Sequence, residues 1–186
     1  MIGLFGGAFD PPHNGHVALL RAAKAELELD RVLVLVEANP AHKTVETPAA
    51  IRLELAHAAF PDEEVVLDEH ARTVDTLRAH PEWVDPVFLV GADEFCNLLS
   101  WKEPDEVLRL TRLAVAARPG YPRSRLQSVL DRLEAPERVL FFELEEAIAS
   151  TELRKHFELG DMPAAVAKII ERDGLYGHVR GYTGAA

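Results

Sequence analysis

The sequence has one cysteine, no long apolar run and no excess of basic residues. Each lack removes a class of function. A single Cys96 allows no internal disulfide and fits a reducing cytoplasm, where we expect it as a half-buried thiol on a helix. No apolar stretch approaches the ~20 residues that span a bilayer. The opening residues MIGLFGGAFD lack a basic n-region and read as a first strand, not a signal peptide. A formal net charge of −11 disfavours nucleic acid or an anionic membrane as partner, since both call for a basic footprint. It leaves room for an anionic small molecule held by a local group of cations, and a homo-oligomer stays open. Two common nucleotide signatures are also missing: there is no Gly-Lys-Ser/Thr of a Walker A loop and no Gly-x-Gly-x-x-Gly.

What is present is the composition of one globular domain: 186 residues, 48% of them hydrophobic and 27% charged. Residues 2–5, 31–36, 65–67, 86–90, 112–117 and 139–142 form short, often β-branched apolar runs, suited to parallel strands buried on both faces. Between them, residues 15–29, 48–59, 74–80, 105–110 and 123–133 carry apolar positions at helical spacing. Two more helices are expected over 151–159 and 163–173, the last opened by Pro163 and closed by Gly174. Alternating strands and helices predict right-handed crossovers and a doubly wound α/β domain with an open parallel sheet over 1–186, with 178–186 as a flexible tail. In such sheets ligands bind beyond the carboxyl ends of the strands, near the point where strand order reverses.

The string after the first strand, Gly6-Gly7-Ala8-Phe9-Asp10-Pro11-Pro12-His13-Asn14-Gly15-His16, runs directly into a helix. The two glycines permit a tight turn and close approach of a ligand. The helix start adds N–H groups and partial positive charge that favour an anion. His13 and His16, three apart, can project toward one phosphate and donate to its oxygens. Read without that context, two histidines could simply cap a helix. Later, Ile148-Ala149-Ser150-Thr151-Glu152-Leu153-Arg154 reads as a second helix start, with Ser150 or Thr151 suited to an N-cap.

The first string resembles the Gly-Gly-x-Phe-Asp-Pro-x-His-x-Gly-His signature of the nicotinate-mononucleotide adenylyltransferases, within the HxGH nucleotidyltransferase superfamily, whose fold is Rossmann-like. The second is similar to that family's Ile-Ser-x-Thr-x-x-Arg motif. The resemblance implies an enzyme of NAD biosynthesis that joins ATP to a nicotinate or nicotinamide mononucleotide and releases pyrophosphate. It implies that Gly6, Gly7, Phe9, His13, His16, Ser150, Thr151 and Arg154 meet ATP, with His13, His16, Thr151 and Arg154 as catalytic groups. His42 and Lys43, after the second strand, are carried over to the mononucleotide acceptor. Gly91 and Asp93, after the fourth, fall on the ATP ribose, and Trp101 on the pyridine ring. Thr76 and Arg118 complete the acceptor set. Arg52 and Trp83 are given structural parts instead. Mg²⁺ would arrive on the nucleotide, with no dedicated protein cage expected.

Three places depart from the family pattern. Ala8 and Ala149 stand where the family has hydroxyl residues, and a lost transition-state donor can cost about 10²–10³ in rate. Around Arg72 the family's Gly-x-Ser-Tyr-Thr segment is altered, although Thr73, Asp75, Thr76 and Leu77 match. Other phosphorylated acceptors, or a nucleotide sensor without turnover, therefore stay open from the sequence.

Overall fold

The computed structural model describes residues 1–40, 45, 47–117, 121–144 and 158–177. Six strands form one all-parallel sheet: β1 Ile2–Gly7, β2 Arg31–Glu37, β3 Glu64–Asp68, β4 Val87–Gly91, β5 Arg112–Ala117 and β6 Val139–Glu143, ordered β3-β2-β1-β4-β5-β6. All six expected strands are there. Seven α-helices accompany them among the described residues: α1 Asn14–Glu26, α2 Ala49–Ala59, α3 Thr73–Ala79, α4 Ala92–Cys96, α5 Pro104–Leu110, α6 Arg123–Leu130 and α7 Ala164–Asp173.

Both faces of the sheet are buried, which is why its strands read as nearly continuous apolar runs. Phe5, Val34, Val36, Leu89 and Ala114 face a cluster that includes Leu20 of α1, Leu55 of α2 and Ile170 of α7. Leu4, Leu33, Leu35, Phe88 and Val115 face the other cluster, with Leu77 of α3, Phe95 of α4, Leu108 of α5 and Leu126 of α6. Strand order reverses between β1 and β4, so the crevice of a doubly wound sheet opens beyond Gly7 and Gly91.

Four details differ from the sequence-based expectation. Gly6 and Gly7 belong to β1, not to the loop, paired with Leu35 and Val36 of β2. A helix was expected at Cys96 but the bounds of α4 were not foreseen, because five residues are too few to show a helical period; Gly91 caps it and Asp93 and Glu94 fill its first turn. Helix α1 ends at Glu26 rather than 29 and helix α6 at Leu130 rather than 133. Leu159, expected at the end of a helix, opens a 3₁₀ turn over Leu159–Asp161; the rest of that expected helix, 151–157, lies outside the described residues, as does the 178–186 tail.

Candidate active site

The loop leaving β1 is built from the core outward. Gly6 and Gly7 have no need of a left-handed backbone; what they supply is the absence of a Cβ. A methyl at Gly6 would lie 2.8 Å from Phe88 Cζ, and one at Gly7 3.3 Å from Phe9 Cζ. The left-handed residue is Phe9 itself, at φ 47°. Its ring is 3% exposed and packs edge-on to Phe5 and Phe60, with centroids 5.4 and 5.6 Å away. Strain of this kind persists where packing over-determines it, often at functional sites. The Phe9 ring also stands edge-on to His16 at 5.3 Å, so the aromatic cluster steers that imidazole directly.

Arg52 fixes the same loop from below. Its guanidinium is 1% exposed and donates to four backbone carbonyls: Thr47 O at 2.9 Å, Ala8 O at 2.7 Å, Glu37 O at 2.7 Å and Ala38 O at 2.9 Å. One helix side chain thereby joins the β1 loop, the end of β2 and the entrance to α2. This matches the structural part expected for Arg52. Ala8, which lacks the family's hydroxyl, is buried and serves through its carbonyl.

His13 is the N-cap of α1, in extended conformation, and no acidic residue occupies the first turn. The rings of His13 and His16 stack with centroids 3.6 Å apart. The backbone N–H of His13 donates to His16 Nδ1 at 3.2 Å. An accepting Nδ1 places the proton of the neutral ring on Nε2, so His16 keeps an N–H suited to a phosphate oxygen. Capping and anion binding are thus compatible here: one edge of the imidazole orders the helix and the other carries the donor.

Across the switch point, Gly91 ends β4 with nothing within 4 Å of where a Cβ would stand. Asp93 in α4 accepts from Tyr121 Oη at 3.0 Å, and Cys96 Sγ lies 3.5 Å from the same oxygen. Burial, then the bonds to Cys96 and Asp93, push the Tyr121 phenol well above its ordinary pKa, so it stays a donor. Trp101 Nε1 donates to Glu94 Oε1 at 3.2 Å, and its indole meets Phe88 edge-on at 6.2 Å. Glu94 and Tyr121 had no motif to announce them; both act on a neighbouring motif residue that only the fold brings near. Cys96 is a partly buried free thiol on α4, as expected. Trp83 packs at the margin of the second core cluster and stacks on His80.

Thr76 is placed differently from a simple ligand contact. It is 2% exposed, and its hydroxyl donates to Asp68 Oδ2 at 2.6 Å. Asp68, at the end of β3, also accepts from the His70 backbone and lies 2.9 Å from His70 Nδ1. Thr76 therefore ties α3 to the end of β3. His42, Lys43, Arg118, Ala149, Ser150, Thr151 and Arg154 lie outside the described residues. Among the described residues no three His, Cys, Asp or Glu side chains converge as metal ligands, and no helix is long and apolar enough to cross a membrane.

Residues 4–156 match the cytidylyltransferase-like family model. The probable nicotinate-nucleotide adenylyltransferase of Thermus thermophilus is 38% identical, over 94% of this chain and 98% of its own length. That of Bordetella petrii is 36% identical over the same shares. The chain belongs to the nicotinate-nucleotide adenylyltransferase family. It is a nucleotidyltransferase. The fold agrees: the Plasmodium falciparum nicotinic acid mononucleotide adenylyltransferase complexed with NaAD superposes with a TM-score of 0.76 at 18% identity, covering 97% of this chain and 98% of that one. The stacked histidines at the start of α1 lie beside the strand-order switch, where doubly wound sheets bind their ligands.

Proposed function

We propose that this enzyme transfers the adenylyl group of ATP to nicotinate mononucleotide, releasing pyrophosphate, as a step of NAD biosynthesis. The observation that carries the reading is the His13–His16 stack, with the His16 tautomer set by the N-cap backbone, at the helix N-terminus beside the strand-order switch. The acceptor's identity is supported by the names of the relatives 36–38% identical over 94% of the chain.

ATP enters as its Mg²⁺ complex, the metal held mainly by phosphate oxygens and water and lowering the negative charge the protein must meet. The acceptor's phosphate oxygen, already ionised at neutral pH, attacks the α-phosphorus in line. The bond from that phosphorus to the β-phosphate bridging oxygen breaks, and its electron pair leaves with pyrophosphate. No general base is needed, so the work of the chain is positioning and charge stabilisation. In this reading His16 Nε2 and His13 donate to the phosphates, with the backbone of Gly6 and Gly7 close by and Phe9 holding His16 in place. Ser150, Thr151 and Arg154 meet the β- and γ-phosphates from the second motif. Gly91 and Asp93 face the ATP ribose, Asp93 being oriented by Tyr121. Trp101, oriented by Glu94, stacks on the pyridine ring, and His42, Lys43 and Arg118 complete the acceptor side, with Thr76 fixing the end of β3 through Asp68. One domain over 1–186 and a cytoplasmic location, in keeping with the free Cys96 thiol, belong to the same proposal.

The test is pyrophosphate release with ATP and Mg²⁺, comparing nicotinate mononucleotide, nicotinamide mononucleotide and phosphopantetheine. Release should be fastest with nicotinate mononucleotide. Faster release with nicotinamide mononucleotide would reassign the acceptor, and release with phosphopantetheine alone would overturn the pyridine reading.

A further inference from the structure

The loop that carries the two histidines is also gripped from the far end of the chain. Tyr176 lies 166 positions after Asp10, and its hydroxyl donates to Asp10 Oδ1 at 2.5 Å. The donor sits on unusual backbone, with Tyr176 at φ 54°, and so does the residue before the acceptor, Phe9 at φ 47°. A left-handed non-glycine residue persists only where its surroundings hold it there. Here one of them makes the hydrogen bond and the other directly precedes its acceptor. The Tyr176 ring packs on the core cluster that contains Phe9, which anchors the donor from behind. Burial first, and the bond to Asp10 second, raise its phenol pKa well above the ordinary 10.0, so the hydroxyl keeps its proton throughout the neutral range. A second tie runs alongside, from Asn14 Nδ2 to Gly160 O at 3.3 Å. Segment 158–177 therefore holds the loop on either side of His13, through Asp10 before it and Asn14 after it.

Asp10 is the awkward member of this loop: an acidic side chain three residues before His13, where a triphosphate is to bind. A carboxylate engaged by a phenol in a short charge-assisted bond has its charge partly answered and its direction set. We propose that Tyr176 is a positioning residue of the ATP site, acting through Asp10 to hold the β1–α1 loop in its phosphate-receiving form. This rests on the assignment of that loop to ATP.

Tyr176→Phe removes the hydroxyl and keeps the ring. With Mg²⁺ and ATP alone, calorimetry should show Kd raised about tenfold, the scale of one hydrogen bond to a charged group. KM for ATP should rise by the same factor, while KM for the acceptor and the thermal midpoint stay close to wild type. A merely structural role would instead lower the midpoint and kcat together and leave both KM values alone. Asp10→Ala should reproduce the ATP-specific loss, and the double variant should be no worse than either single one. Wild-type ATP affinity in Tyr176→Phe, or additive losses in the double variant, overturns the proposal. If Tyr176→Phe does not fold, Asp10→Asn decides: it keeps an oxygen for the Tyr176 hydroxyl and should bind ATP better than Asp10→Ala, and equal losses overturn the proposal. A wild-type chain that binds no ATP overturns the loop assignment and this proposal together. One that binds ATP beside an equally competent Tyr176→Phe overturns this proposal alone.

Discussion

At the end of β1 the loop 8–13 is fixed by groups sunk in the core, whereas at the end of β4 the segment 91–101 is fixed by side chains nearer the surface. The first has Arg52 at 1% exposure holding four carbonyls and Phe9 at 3% inside an aromatic cluster. The second has an exposed Asp93 held by Tyr121 and a half-buried Trp101 held by Glu94. The contrast suits the two jobs proposed for these segments. Donors that stabilise a departing pyrophosphate must stand still before the charge develops, because reorganisation during the reaction would forfeit most of their value. A ribose or a flat ring is recognised by contacts that can adjust by a few tenths of an ångström with little loss.

The sharpest way to break this comparison is to remove the buried bolt. Arg52→Met should cost at least about 3 kcal/mol, since several carbonyls lose their donor at once and each buried unsatisfied group carries about 1–3 kcal/mol. Urea unfolding would measure it, and a cost below about 1 kcal/mol would mean the β1 loop holds without its guanidinium. Next comes His16→Ala. Turnover should fall by about 10²–10³, equivalent to a lost transition-state donor, with little change in the unfolding midpoint. An unchanged rate of pyrophosphate release would remove His16 from the catalytic set. The smallest effects separate the two strand ends by a single methyl. Gly6→Ala drives a Cβ against the buried Phe88 ring and should destabilise by about 1–3 kcal/mol. Gly91→Ala meets open space and should stay within about 0.5 kcal/mol, with any effect confined to substrate KM. Equal costs at the two glycines would erase the distinction.

Much of the candidate site could be seen in the chain as written. Its clearest signals were compact: His13 and His16 three residues apart at a strand–helix junction, and Gly91, Asp93 and Trp101 close together after β4. Local spacing sufficed because each set lies on one turn or one short segment. The glycines show the limit. Gly6 and Gly7 suggested a flexible turn, yet they are strand residues whose missing Cβ atoms admit the rings of Phe88 and Phe9, and the left-handed position falls on Phe9. Phe88 is far away in sequence, so no reading of residues 6–9 could have found it. Thr76 shows the same limit from the other side, since its hydroxyl is committed to Asp68 across the β3–α3 connection.

The sequence by itself determined the periodicities, and with them six parallel strands, most of the helices and the family to which the motifs point. Hydrophobic spacing and short motifs are local properties, and they survive being read one residue after another. The tertiary structure alone decided strand order, which face each apolar residue covers, and the partners of Arg52, Tyr121 and Tyr176. Those partners are backbone carbonyls or carboxylates brought close by crossovers and chain return, and a guanidinium or phenol can hydrogen-bond to many such groups. Its choice is made by burial, where only the neighbours that the fold supplies remain to satisfy it.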